Sequence, residues 1–235
     1  IIKDHHLVEL PISRIVDPML ATQMKQYVFG VIQHHRLRLE EYRLKQAEQY
    51  WKPKRPRKGN IVGILGLGQI GAEVGMFLHS AGLEVIGWSH SKKNIKEIVS
   101  FIGEDGFEKV VSKADYLICL LPLTTSTENI LNERVFDLMP KNGVLINVAR
   151  GEHLNEEDLL NALNNEQIQA AYLDVFQQEP LANEHPFWRH DKITITPHVS
   201  ALTSLDTAVE QIIENYKRCK SGQEMLHIID LPKGY

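Results

Sequence analysis

Cysteine is scarce in this chain: Cys119 and Cys219 are the two in 235 residues. They have no metal-ligand spacing. One lies in an apolar run and the other in a late helical pattern, as buried or incidental thiols of a reducing compartment do. Long apolar runs are also missing. None approaches membrane-spanning length, so no membrane partner is expected, and the thiols point to the cytoplasm. Nor is positive charge in excess: 26 Lys and Arg against 30 Asp and Glu leave a net charge of -4, which argues against general nucleic-acid affinity. No internal repeat or low-complexity tract is present. The initiator Met is absent too. The sequence opens Ile1-Ile2-Lys3-Asp4 within what reads as working sequence, so upstream residues are expected to be missing. What remains, 43% hydrophobic and 24% charged, suits a globular protein with a substantial core.

The most informative stretch runs from Asn60 to Ser80. Ile61-Val62-Gly63-Ile64-Leu65 reads as a buried parallel strand. Gly66-Leu67-Gly68-Gln69-Ile70-Gly71 follows with G-x-G-x-x-G spacing and leads directly into a helical pattern. In such a turn the first glycine permits the bend, the second lets backbone approach a pyrophosphate, and the third permits close packing. The N–H groups and partial positive charge of the helix start then face the phosphates. Alone the spacing is weak evidence. With a strand before it, a helix after it and a further strand at Leu83–Trp88, it predicts dinucleotide binding.

Ahead of this stretch, two short β-like pieces fall at Leu7–Leu10 and Ile12–Val16. From Pro18 the spacing of Leu20, Met24, Tyr27, Val28, Val31 and Ile32 predicts a long helix continuing towards Trp51. One wide apolar stripe on so long a helix suits an interdomain or homodimer element. Five of the seven residues from Lys52 to Lys58 are basic. A solvated, proline-stiffened linker is the favoured reading over a nucleic-acid patch. Strands are then expected at Asp115–Leu120, Gly143–Val148, Ala170–Val175 and Ile193–Thr196. Helices are expected at Ile95–Phe101, Phe107–Ala114, Asn132–Leu138, Glu156–Asn164 and Ser204–Lys220. This alternation predicts an α/β fold, a Rossmann-type doubly wound parallel sheet covered on both faces.

The second strand of a fold that binds NAD normally ends in Asp or Glu, which bonds the ribose hydroxyls. Here it ends Trp88-Ser89-His90-Ser91-Lys92-Lys93, with no acid. A carboxylate would repel a 2′-phosphate, whereas hydroxyls, His90, Lys92 and Lys93 offer donors and positive charge. NADP(H) is therefore the preferred cofactor, with NAD(H) possible.

Three polar segments follow apolar strands: Asn147-Val148-Ala149-Arg150-Gly151, Leu173-Asp174-Val175-Phe176 with Glu179-Pro180 just beyond, and Thr196-Pro197-His198. Each has a dull explanation taken singly. Their coincidence at successive strand ends is what ligand sites in open α/β sheets require. Reducing a 2-oxo acid needs a group to hold the carboxylate and polarise the ketone, which suits the forked, permanently charged Arg150. It also needs a proton donor, and histidine, which titrates near neutrality, suits that task at position 198. Glu179 would orient the ring, and Asp174 could bond a nicotinamide carboxamide.

With the glycine turn, these segments resemble the D-isomer-specific 2-hydroxyacid dehydrogenases, in order and spacing, from the long helix to the C-terminus. Trp88-Ser89, Pro197-His198-Val199 and Lys233-Gly234-Tyr235 look most like the branch of glyoxylate/hydroxypyruvate reductases that uses NADPH. The resemblance implies Arg150, Glu179 and His198 as catalytic residues. It implies Gly66, Gly68, Gln69, Ile70 and Gly71 at the pyrophosphate, and Ser89, His90 and Lys92 at the adenosine end. Leu121, Pro122, Val148, Ala149 and Asp174 complete the implied cofactor contacts. It further implies a dinucleotide-binding domain over 19–203, with 1–18 and 204–235 belonging to a flavodoxin-like substrate domain that is mostly missing. On this view the chain is a fragment that binds NADPH and turns over poorly by itself. Other 2-oxo acids such as phenylpyruvate or 3-phosphohydroxypyruvate are alternative substrates, and a non-catalytic dinucleotide sensor is the alternative of another class.

Overall fold

A computed structural model describes residues 11–229. Seven parallel strands form one sheet in the order β3-β2-β1-β4-β5-β6-β7. They are β1 (Ile61–Leu65), β2 (Glu84–Trp88), β3 (Val99–Phe101), β4 (Tyr116–Cys119), β5 (Val144–Asn147), β6 (Ala170–Leu173) and β7 (Ile193–Ile195). The helices are α1 (Pro18–Arg36), α2 (Leu39–Ala47), α3 (Gln69–Ser80), α4 (Gly103–Lys113), α5 (Glu133–Leu138), α6 (Glu156–Asn164) and α7 (Leu205–Lys220). The chain winds outward from β1 to β3, then returns to β4 and winds the other way. The switch point thus lies between β1 and β4, where a doubly wound sheet opens a crevice beyond its strand ends.

The central strands are buried and largely apolar because both faces are covered. One core layer packs Phe107, Val110, Leu145 and Leu163 on one face. The other packs Val28, Ile32, Val74, Leu78 and Ile118 on the opposite face. Helix α1 contributes Ala21, Met24, Val28, Ile32 and His35 to the buried side, a stripe of helical period.

Two expectations are corrected. The single helix towards Trp51 is two helices, broken at Arg38, whose φ of 59° is left-handed. The apolar stripe ends at His34-His35-Arg36, and α2 has no buried residue to continue it. Arg38 instead bonds Glu41 and the carbonyl of Arg55, folding the basic linker back over α2. The helix expected at Ile95–Phe101 is a turn followed by edge strand β3, paired Ile86 to Val99 and Trp88 to Phe101. Glu97, at φ 66°, breaks helical continuity there, and Val99 and Phe101 are good strand formers. Helix α4 accordingly begins at Gly103, earlier than Phe107. Of the early β-like pieces, Leu7–Leu10 lies outside the described residues. Ile12–Val16 makes only an isolated bridge, Ser13 to Ile228. Lys233–Tyr235 also lies outside them.

Where the chain leaves the terminal segments, polar side chains tie the two passages together. Asp17, 4% exposed, accepts 2.8 Å bonds from Met19 N at the start of α1 and from Ser204 N at the start of α7. Gln23 exchanges bonds with both backbone groups of Leu202, and Gln211 does the same with Val16.

Candidate active site

The glycine turn closes over the end of β4. Gly66 has φ 105°, and a Cβ there would meet Leu120 O at 2.6 Å. A Cβ on Gly71 would lie 1.9 Å from Gly66 O, so α3 can start this close to the turn only without a side chain. Gly68 behaves differently: it is exposed, and a Cβ would meet nothing within 4 Å. The start of α3 has no side-chain cap, so its first N–H groups face that open space. Gln69 and Ile70 form this first turn, and Leu121 and Pro122 follow β4 alongside it. The cradle fits a diphosphate.

At the end of β2, Ser89 is buried and its hydroxyl donates to Ser91 O at 2.8 Å. It therefore shapes the loop, while His90 and Lys92 are exposed and Lys93 is half-buried. No carboxylate interrupts Trp88–Lys93, which fits a phosphorylated ribose better than a bare one.

The three polar segments emerge from the adjacent strands β5, β6 and β7. Val148 and Ala149 are buried, and Arg150 is exposed with Nη1 2.5 Å from Ala149 O. Asn147 Nδ2 donates to Arg150 O at 3.0 Å. A Cβ on Gly151 would lie 1.9 Å from the carbonyl carbon of Phe176, so the arginine loop rests directly on the loop after β6. There Glu179 accepts from Phe176 N at 3.0 Å through Oε1 and lies 2.8 Å from His198 Nδ1 through Oε2. Both carboxylate oxygens are thus engaged, and the ring nitrogen left for chemistry is His198 Nε2.

His198 has φ 54°, a left-handed conformation that histidine adopts at a cost of about 1–3 kcal/mol. Asp174 holds it there. Its carbonyl accepts from His198 N at 2.8 Å, and its fully buried carboxylate accepts from Val199 N, Ser200 N and the Thr196 hydroxyl. Because Thr196 gives its proton to Asp174, Tyr27 must donate to Thr196 across their 2.6 Å contact. Burial, the largest effect, raises the Tyr27 pKa to about 12, so this proton stays in place. Tyr27 and Thr196 escaped sequence reasoning in this role. The first read as stripe and the second as flank, and only the fold joins them.

A third such residue is His153. It closes the 3-10 turn Gly151–His153 and is fully buried, with burial pulling its pKa below the usual histidine value. No local pattern in the sequence marks it.

The family model for the D-isomer-specific 2-hydroxyacid dehydrogenase NAD-binding domain matches residues 28–200. Similar curated proteins include the glyoxylate/hydroxypyruvate reductases A of Photorhabdus laumondii, 41% identical, and Yersinia enterocolitica, 38% identical. Each alignment covers 96% of this chain and 73% of the relative. Among solved structures, the D-isomer-specific 2-hydroxyacid dehydrogenase of Xanthobacter autotrophicus with NADPH and MES is 32% identical. It has a TM-score of 0.91 and covers 100% of this chain and 98% of its own. The NADPH-dependent glyoxylate/hydroxypyruvate reductase of Sinorhizobium meliloti, with NADP and sulfate, is 30% identical at a TM-score of 0.92. It covers 100% of this chain and 76% of its own.

Proposed function

Because the chain belongs to the D-isomer-specific 2-hydroxyacid dehydrogenase family, we propose that it reduces a small 2-oxo acid, glyoxylate or hydroxypyruvate, to the 2-hydroxy acid with NADPH. The observation that carries this reading is the 2.8 Å His198–Glu179 pair on the loops beside Arg150, in a parallel sheet whose β1 ends in an open glycine turn.

In this reading Gly66, Gly68, Gln69, Ile70 and Gly71 hold the diphosphate. His90 and Lys92 bind the 2′-phosphate on the loop that Ser89 shapes, and Leu121, Pro122, Val148 and Ala149 line the nicotinamide end. Asp174, expected to bond the nicotinamide carboxamide, is instead fully buried and braces the loop that carries His198. NADPH, when bound, supplies the hydride. Arg150 pairs with the substrate carboxylate and draws charge towards the ketone oxygen. His198 gives that oxygen a proton from Nε2 while Glu179 fixes the ring through Nδ1. NAD(H) is the weaker alternative. In a steady-state assay with glyoxylate and hydroxypyruvate, kcat/KM is expected to be clearly higher with NADPH than with NADH. Equal values would overturn the cofactor preference, and no oxidation of NADPH with either acid would overturn the activity.

The dinucleotide unit is assigned to 19–203 and the substrate unit to 1–18 with 204–235. Mutual pairing of the terminal segments supports this: Arg14 N bonds His227 O at 3.0 Å, and Asn215 Nδ2 bonds Ser13 Oγ at 3.1 Å. A homodimer is supported by apolar side chains left exposed around α2, Leu39, Leu44, Tyr50 and Trp51, the last 96% exposed. Sedimentation of wild type against Trp51→Glu tests it. Among the described residues no helix is long and apolar enough to cross a membrane. The two unpaired thiols suit a cytoplasmic setting.

A further inference from the structure

His153 sits between two loops that the proposed reaction uses for different purposes. Its Nδ1 lies 3.2 Å from Arg150 N, on the loop after β5. Its Nε2 lies 3.3 Å from Pro122 O, on the loop after β4. Arg150 N–H can only donate, so Nδ1 must accept. Pro122 O can only accept, so Nε2 must carry the proton. Arg150 O also lies 3.2 Å from Nδ1, but placing the proton there would set two donors against each other and leave a bare Nε2 facing a carbonyl. One neutral tautomer satisfies both sides.

The surroundings leave the ring little freedom. Its own carbonyl accepts from Leu131 N at 2.9 Å, and Leu154 bridges to Leu131 on the next residue. Pro122 O accepts a second bond, 2.7 Å, from the hydroxyl of buried Thr127. Both acceptor directions of that carbonyl are therefore filled from the protein side.

We propose that His153 is a positioning residue, a neutral Nε2–H spacer that fixes the arginine loop relative to the cofactor loop. Its Nδ1 side serves the 2-oxo acid through Arg150, and its Nε2 side serves NADPH through Pro122. This rests on the function proposed above for Arg150 and Pro122. It assigns work to a residue that touches neither ligand.

The two sides separate by substitution. The carbonyl oxygen of Asn can overlay Nδ1, and the amide nitrogen of Gln can overlay Nε2. His153→Asn is expected to keep the Arg150 link and lose the Pro122 link. It should weaken NADPH binding, read by direct fluorescence titration, about 3- to 10-fold, the worth of one neutral hydrogen bond, with glyoxylate KM nearly unchanged. His153→Gln should raise glyoxylate KM by a similar factor while NADPH affinity holds. Variants that shift both quantities together, or neither, would overturn the assignment. Nitrogen-15 NMR of histidine in the unsubstituted protein needs no variant to fold: an Nε2–H signature for His153 is expected, and an Nδ1–H signature refutes the clamp. If the unsubstituted protein binds NADPH but reduces no 2-oxo acid, the reaction assigned above falls. The titration and the NMR arm still judge His153.

Discussion

Helix α1 touches two histidine sites of opposite character. Near its middle, Tyr27 reaches the loop beyond β7, where His198 is exposed and bonded to a carboxylate at 2.8 Å. At its C-terminal end, His35 is 7% exposed, meets the Tyr116 hydroxyl at 3.1 Å and has no partner for Nε2 among the described residues. Burial first, and the Arg57 charge second, pull the His35 pKa down to about 4. The residue type is the same in both places. A carboxylate and access to solvent suit one ring to moving protons, while burial beside a guanidinium keeps the other neutral and structural.

The sharpest way to break this comparison is to remove each ring in turn. His198→Ala is expected to lower kcat by roughly 10²–10⁴, the usual contribution of a positioned proton donor, with little change in unfolding free energy. An unchanged kcat would mean that the paired histidine is as idle as the buried one.

His35 should show itself in stability rather than rate. Its pKa is lower in the folded chain than the ordinary 6.5, so the unfolded chain takes up the proton first as pH falls. The stability tied to this ring is intact above about pH 6.5 and is lost between there and pH 4. The loss is at most about 3 kcal/mol, since each tenfold change in proton affinity corresponds to about 1.4 kcal/mol. Denaturant unfolding at pH 7.5 and 4.5 is expected to show a smaller pH difference for His35→Gln than for the unsubstituted chain. Equal differences would remove the distinction between the two rings.

The smallest effect is expected beside His35, on the surface. Glu41 pairs with Arg38 and Lys54, each at 2.8 Å, and with Arg57. Partly exposed pairs contribute roughly 0–1 kcal/mol each. Glu41→Gln should therefore cost about 1 kcal/mol by thermal unfolding and leave kcat unchanged. A large loss would mean that this far end is as tightly coupled as the site end.

Much of the scaffold was legible because its signals are local. Six of the seven strands are apolar runs that needed no partner to be recognised, and the turn at Gly66 announces itself by spacing. Strand β3 was not legible, since three residues at a sheet edge display no period and depend on pairing with Ile86–Trp88. The break at Arg38 was hidden by good helix formers on both sides of it. In the site, polar residues just beyond apolar strands marked Arg150, Asp174, Glu179 and His198. The contacts that organise them were invisible: Asp174 holds residues 22 to 26 positions away, and His153 meets Pro122 across 31. Such pairings become readable only when the strand order brings the loops side by side.

The carboxylate of Asp17 has a mechanical consequence. One side chain, by accepting from both Met19 and Ser204, pins the outgoing and returning passages of the chain at a common point. The glutamines at 23 and 211 add a stay on either side of it. Terminal segments fastened in this way cannot slide along the sheet without breaking several bonds at once. Because the attachments lie at several points and not at one, pulling either passage away loads all of them together, and the two passages behave as a single strap across this edge of the molecule.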